Sequence, residues 1–142
     1  LYRTCVDNEQ KAVFVGSFPL GLEDPGVNIA FGIANMGVDP ADLEASMDGV
    51  IASTQNELIS DEEFQKLKNQ TENDFISRNS RVAGIAESLA NYKMYFGDAN
   101  LVNTELDRYL AVTKEDIQRV AKKYFAQSNR VVLYYLPKPN TP

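Results

Sequence analysis

The chain has 142 residues, 44% of them hydrophobic and 24% charged, a size and balance that suit one soluble globular domain. A net charge of −6 and a pI near 4.6 argue against a nucleic-acid surface, which needs clustered Lys and Arg to neutralise phosphates. No histidine is present, and Cys5 is the single cysteine. The usual zinc ligand sets, the Ser–His and Cys–His nucleophile pairs and any internal disulfide are therefore excluded. Cys5 reads as a small buried apolar residue, because no His or basic cluster surrounds it that would favour a thiolate.

Residues 1–9 read as the tail of a helix, and residues 11–18 (KAVFVGSF) as a strand rich in β-branched and aromatic side chains. The Pro, Gly and Asp of residues 19–26 form a turn, with Glu23 and Asp24 as solvated turn residues. Val27, Ile29, Phe31 and Ile33 then alternate with Asn28, Ala30, Gly32 and Ala34, a period of two that marks a second strand with one small face. The small face admits either a tightly packed helix or the close approach of another backbone, as in strand addition. Ile29, Ala30, Phe31 and Gly32 are accordingly the candidate peptide-contacting residues.

Asp39 and Pro40 open a helix as N-cap and first helical residue, with Leu43, Met47, Val50, Ile51 and Leu58 on one stripe. Ser60 and Glu63 make a capping box for a second helix, whose inner face carries Phe64, Leu67, Thr71 and Phe75. The acidic run Asp61–Glu63 there complements the helix dipole and is not read as a cation site. A third helix over about 80–96 places Val82, Ile85, Ala86, Leu89 and Phe96 inward, and Gly97 and Asp98 end it. Tyr92, Tyr95 and Phe96 read as core or interdomain contacts in preference to a peptide-binding patch.

A short helix over 104–110 follows. Thr113 then caps another, with Ile117, Val120, Ala121, Tyr124 and Phe125 inward and Lys122 and Lys123 at its C-terminal end. Residues 130–136 (RVVLYYL) are apolar enough to be a strand inside a sheet, and Pro137, Pro139 and Pro142 mark the close of the chain, with a tail or linker over 138–142. The order strand, strand, helices, strand predicts an α+β fold of two layers, with helices packed on one face of a mainly antiparallel sheet. Residues 1–137 form one domain. It is expected to be truncated at its N-terminus, since the chain begins without Met and three strands are few for so much helix.

Three segments together resemble the second domain of the pitrilysin/insulinase family of zinc peptidases, which carry an inverted H-x-x-E-H motif. They are residues 1–18 (LYRTCVDNEQKAVFVGSF), 23–33 (EDPGVNIAFGI) and, most specifically, 106–138 (LDRYLAVTKEDIQRVAKKYFAQSNRVVLYYLPK). The last matches the family's Y-x-x-V-T-x-x-D-I-x-x-V-A-x-K-Y-F … N-x-x-V-x-Y-x-P ending. Residues 59–70 (ISDEEFQKLKNQ) fit its entry to a long helix.

The resemblance implies a metallohydrolase-like domain of the pitrilysin/processing-peptidase type that binds no metal. It would help to form the chamber around a peptide, while zinc lies in the parent's catalytic domain. Its implied partners are the other domains of the same peptidase and a peptide substrate; no nucleic acid and no membrane span are expected. The fragment is also expected to self-associate through exposed sheet edge. Bacterial members of the family are often periplasmic, which no residue here encodes.

Many members place an Arg and a Tyr seven residues apart in the first of these segments, to hold the substrate and its oxyanion. Aligned here, those positions are Val6 and Val13, whose side chains cannot donate a hydrogen bond, and Arg3 is expected on another face of the helix. The domain is thus expected to lack catalytic residues, either in an active peptidase or in a catalytically inactive relative that serves as a scaffold.

Overall fold

A computed structural model describes residues 1–22 and 26–136. The chain divides into two compact units: unit 1 comprises Leu1–Asn56 and the chain from Val120 on, and unit 2 comprises Glu57–Arg119. Glu23 and Asp24 of the expected turn, and the expected tail, lie outside the described residues.

Unit 1 begins with a π-helical turn, Arg3–Asn8, where the end of a regular helix was expected. Two strands follow, β1 (Ala12–Leu20) and β2 (Val27–Ala34), paired antiparallel from Ala12↔Ala34 to Leu20↔Val27. The register slips between Ala12 and Phe14, so Val13 is an extra, bulged residue. Strict alternation would put Ala12 and Val15 on opposite faces. The bulge brings both to one face, where they are 3% and 4% exposed.

Helix α1 (Pro40–Asn56) starts as the sequence dictates, with Asp39 Oδ1 accepting the Ala41 amide at 2.9 Å. It packs on that face through Leu43, completing a core of Cys5, Ala12, Val15 and Leu43 with Leu1, Val6, Ala34 and Met47 around it. Among the described residues the sheet has these two strands alone.

Residues 130–136 depart from expectation. They follow a short 3₁₀ turn, Gln127–Asn129, and carry no ladder among the described residues. Val131, Leu133 and Tyr135 are nearly fully exposed. An apolar composition favours a sheet interior, but a ladder needs a neighbouring strand, and these residues have none within the described chain.

Unit 2 contains α2 (Asp61–Arg78), α3 (Val82–Phe96), α4 (Leu101–Leu110) and the first part of α5 (Lys114–Tyr124). Ser60 Oγ accepts the Glu63 amide at 3.2 Å, which is the Ser half of the capping box. Thr113 and Asp116 make a full box, each side chain accepting from the other's amide at 3.1 and 3.2 Å. Gly97 ends α3 with φ of 76°, the left-handed conformation that glycine adopts freely.

The expected inner stripe of α3 is wrong in register. Val82, Ile85, Leu89 and Phe96 are exposed, and the half-buried positions are Gly84, Ser88 and Tyr92. Ser88 Oγ donates to Asn79 Oδ1 at 2.9 Å, so this face is chosen by a polar bond and by small residues. No helix among the described residues is long and apolar enough to cross a membrane.

Candidate functional site

The irregular backbone of unit 1 is concentrated in residues 3–13, where the sequence resemblance put its substrate-holding pair. The π turn is followed by Gln10 at φ of 52°, unusual for a residue with a side chain, and then by the bulge at Val13. Asn35 Nδ2 donates to the Gln10 carbonyl at 3.1 Å and helps to hold it.

A polar staple ties this passage to α1. Lys11 Nζ donates to Ser46 Oγ at 2.7 Å, Ser46 Oγ donates to Glu9 Oε2 at 2.5 Å, and Lys11 Nζ lies 3.2 Å from the same carboxylate. The serine hydroxyl bond and then the lysine hold the Glu9 carboxyl below its ordinary range. The cluster contains a serine and a lysine in contact, but the lysine is ion-paired to Glu9, so the group acts as a structural staple.

Within the site the two valines part company. Val6 packs against the buried core, whereas Val13, the bulged residue, is 60% exposed. Neither side chain carries a hydrogen-bond donor.

The four candidate residues of β2 divide between the faces of the hairpin. Gly32 pairs with Val15 on the α1 side, and a Cβ built there would come within 2.9 Å of Leu43 Cδ2. A helix therefore occupies the space that a second backbone would need at Gly32. Ala30 shares this face, beyond the core. Ile29 and Phe31 point the other way, opposite Phe18 and Gly16.

That second face carries an aromatic row. Tyr2 meets Phe14 edge-on at 6.2 Å between ring centroids, Phe14 meets Phe31 at 5.7 Å, and Phe31 meets Phe18 at 6.3 Å. Gly16 makes room for it, since a Cβ there would lie 3.0 Å from the Phe31 ring. All four rings remain between 41% and 50% exposed. Such a face can take up apolar side chains of a peptide through ring contacts. The sequence signal for this face is the alternation of Phe14, Gly16 and Phe18, with Phe31 on the facing strand.

In unit 2, Tyr92 packs on Phe96 at 6.2 Å; burial, then the Glu105 carboxylate, raise its phenol above the ordinary value. Tyr95 is exposed. Among the described residues no group of three or more His, Cys, Asp or Glu is placed to hold a metal.

Two further carboxyls are held low: Asp61 by the Lys114 ammonium at 2.6 Å, and Asp116 by Arg119 and then by Thr113. Carboxyls with lowered native values stabilise the fold above their unfolded values of ~3.9 for Asp and ~4.3 for Glu, and that contribution is lost as pH falls through the native values. The urea midpoint is expected to fall between pH 5 and pH 3, with Glu9, Asp61 and Asp116 contributing; an unchanged midpoint in the Glu9→Gln/Asp61→Asn/Asp116→Asn variant relative to the native chain at pH 5 would contradict it.

Comparison with known proteins finds likeness in fold. No protein-family model and no curated protein matches the chain in sequence. Among solved structures, a protease from Helicobacter pylori superposes with a TM-score of 0.79 at 22% identity, over 88% of this chain and 30% of that one. A Bordetella pertussis Tohama I protein provisionally named a zinc protease superposes with a TM-score of 0.81 at 23% identity, over 96% of this chain and 74% of that one. The chain has a zinc-protease-type fold. It spans less than a third of the H. pylori chain and about three quarters of the B. pertussis chain.

Proposed function

We propose that this chain is a non-catalytic, chamber-forming domain of a zinc-dependent metalloendopeptidase of the pitrilysin type, whose metal is held in a different domain. The observation that carries the reading is a protease fold matched over 88% and 96% of a chain that contains no histidine. A peptidase of this kind works through a zinc-bound water, and three protein ligands of the usual type must come from outside this chain. The domain's contribution is then a wall. The exposed aromatic face of the β1–β2 hairpin supplies apolar contact to the peptide, with Ile29 and Phe31 on it and Ala30 and Gly32 turned toward α1. The other domains of the peptidase are its remaining partners.

The test uses the full-length protein. Phe31→Asp, which puts a charge on the exposed face without touching the core, is expected to raise KM for apolar peptides about tenfold, the effect of losing ~1.4 kcal/mol of contact, with kcat and zinc content unchanged. An unaltered KM overturns the peptide-facing assignment.

A second reading, a catalytically inactive relative acting as a scaffold or partner-binding subunit, is favoured by Val6 and Val13. One packs against the core and the other sits on a bulge, and neither side chain can donate to a substrate oxyanion. Peptide cleavage by the full-length protein excludes this reading; its absence, in a protein without H-x-x-E-H, establishes it.

A further inference from the structure

Gln10 sits in the left-handed region at φ of 52°, a conformation that is costly with a side chain and persists only where the surroundings fix it. The two residues that flank it reach one atom. Lys11 Nζ donates to Ser46 Oγ at 2.7 Å, and Ser46 Oγ donates to Glu9 Oε2 at 2.5 Å. Ser46 lies on α1, so a single hydroxyl ties both sides of the strained residue to the helix that carries Leu43 of the core. A serine within a helix commonly bonds the carbonyl four residues back. Here the Asp42 carbonyl is 3.1 Å away, and the Glu9 carboxylate is the closer acceptor. A hydroxyl donating to an ion makes the stronger bond of the two.

The passage held in this way joins two rings of the aromatic face. Tyr2 precedes the π turn and Phe14 follows the bulge, yet their ring centroids lie 6.2 Å apart. Backbone bonds also hold the passage. The Lys11 amide donates to the Cys5 carbonyl at 2.9 Å, and the Asn35 amide donates to the Lys11 carbonyl at 2.8 Å. Those bonds join the passage to itself and to the end of β2. Among the described residues, its polar connection to α1 runs through Ser46.

We propose that Ser46 is a positioning residue for the aromatic face of the hairpin, a role that rests on the peptide-facing reading of that face. Through Glu9 and Lys11 it keeps Gln10 left-handed, which fixes how β1 leaves the π turn and so where Tyr2 meets Phe14. The rival role is a Glu9–Lys11 ion pair with the serine as bystander. Removing the hydroxyl separates the two. Lys11 Nζ lies 3.2 Å from Glu9 Oε2, so the ion pair survives without Ser46 and neither charge is stranded. Alanine is also the better helix former, so Ser46→Ala keeps α1 intact. A bystander serine then leaves the passage as it was, whereas a positioning serine releases it from α1.

Hydrogen–deuterium exchange and peptidase kinetics of the full-length protein test this together. Ser46→Ala is expected to exchange on the order of tenfold faster over residues 9–15, the effect of losing one charge-assisted bond at a partly exposed site, with α1 unchanged. KM for apolar peptides is expected to rise about threefold at unchanged kcat, less than in Phe31→Asp because the rings are displaced and not replaced. Ser46→Thr, which keeps the hydroxyl, restores both. In the Phe31→Asp background, Ser46→Ala adds nothing further to KM, since both changes act on one face. Unchanged exchange over residues 9–15 in Ser46→Ala overturns the proposal. So does faster exchange with an unmoved KM in a protein whose KM responds to Phe31→Asp. If Phe31→Asp itself leaves KM unmoved, the peptide-facing reading falls and exchange alone decides: faster exchange supports Ser46 as the residue that holds the passage, and unchanged exchange overturns it.

Discussion

Leu43→Ala is expected to lower the stability of unit 1 by about 3 kcal/mol, within the range of roughly 2–5 kcal/mol seen for buried Leu truncations. Leu43 is 4% exposed and reaches the hairpin at Gly32, between Val15 and the small side chains of Cys5 and Ala12. Among the described residues the core cluster around α1 has four buried residues, and Leu43 is the largest of them. Met47, beside Leu43 at Gly32, is the flexible neighbour that can partly fill the space, which sets the loss in the lower half of that range, and the glycine opposite contributes no side chain. Urea unfolding followed by circular dichroism measures the loss. A midpoint that moves by less than the experimental error would mean that α1 is not what holds the hairpin.

Gly84→Ala is the second large effect, and here two contributions oppose each other. Alanine is the better helix former by about 1 kcal/mol, so an isolated helix α3 would gain from it. In the fold, a Cβ at position 84 would lie 1.9 Å from the Arg78 carbonyl oxygen. That atom belongs to the backbone at the end of α2, and no rotamer change relieves the overlap. The α2–α3 corner must open, which also strains the Ser88–Asn79 bond. The clash wins, and a net loss of roughly 2 kcal/mol is expected, typical of overpacking. Thermal unfolding decides it: a raised Tm for Gly84→Ala would show that the corner is looser than described.

Local chemistry made much of this fold legible. The Asp39-Pro40 start of α1, the Ser60 cap of α2, the Thr113 cap of α5 and the Gly97 stop of α3 each depend on groups close in sequence, and each is where the residues put it. The two hairpin strands followed from composition and alternation. What was not legible depends on partners distant in sequence. The bulge at Val13 exists because Ala12 and Val15 must both meet Leu43, which no pattern within β1 announces.

The α3 stripe was misread because Ile85 and Leu89 dominate a hydrophobicity pattern, whereas Gly84, Ser88 and Tyr92 are selected by close approach and a hydrogen bond. The strand expected over 130–136 forms no ladder among the described residues, since pairing needs a second strand that composition cannot supply. In the candidate site, the residues of β2 named for helix packing or backbone approach stand on different faces. Gly32 serves α1, and Ile29 and Phe31 stand on the aromatic side.

The arrangement of Val6 and Val13 also sets limits on engineering. Val6→Arg would bring a guanidinium to the edge of the core, at a cost of several kcal/mol for an unpaired charge, while Val13→Tyr would place a hydroxyl on an exposed bulge.

The most direct test of the central claim is the zinc content and peptidase activity of this chain alone. After dialysis against zinc and then metal-free buffer, the account predicts zinc well below one equivalent and no cleavage of a peptide library. Stoichiometric, tightly held zinc, or cleavage by the purified chain that chelators abolish, would contradict it.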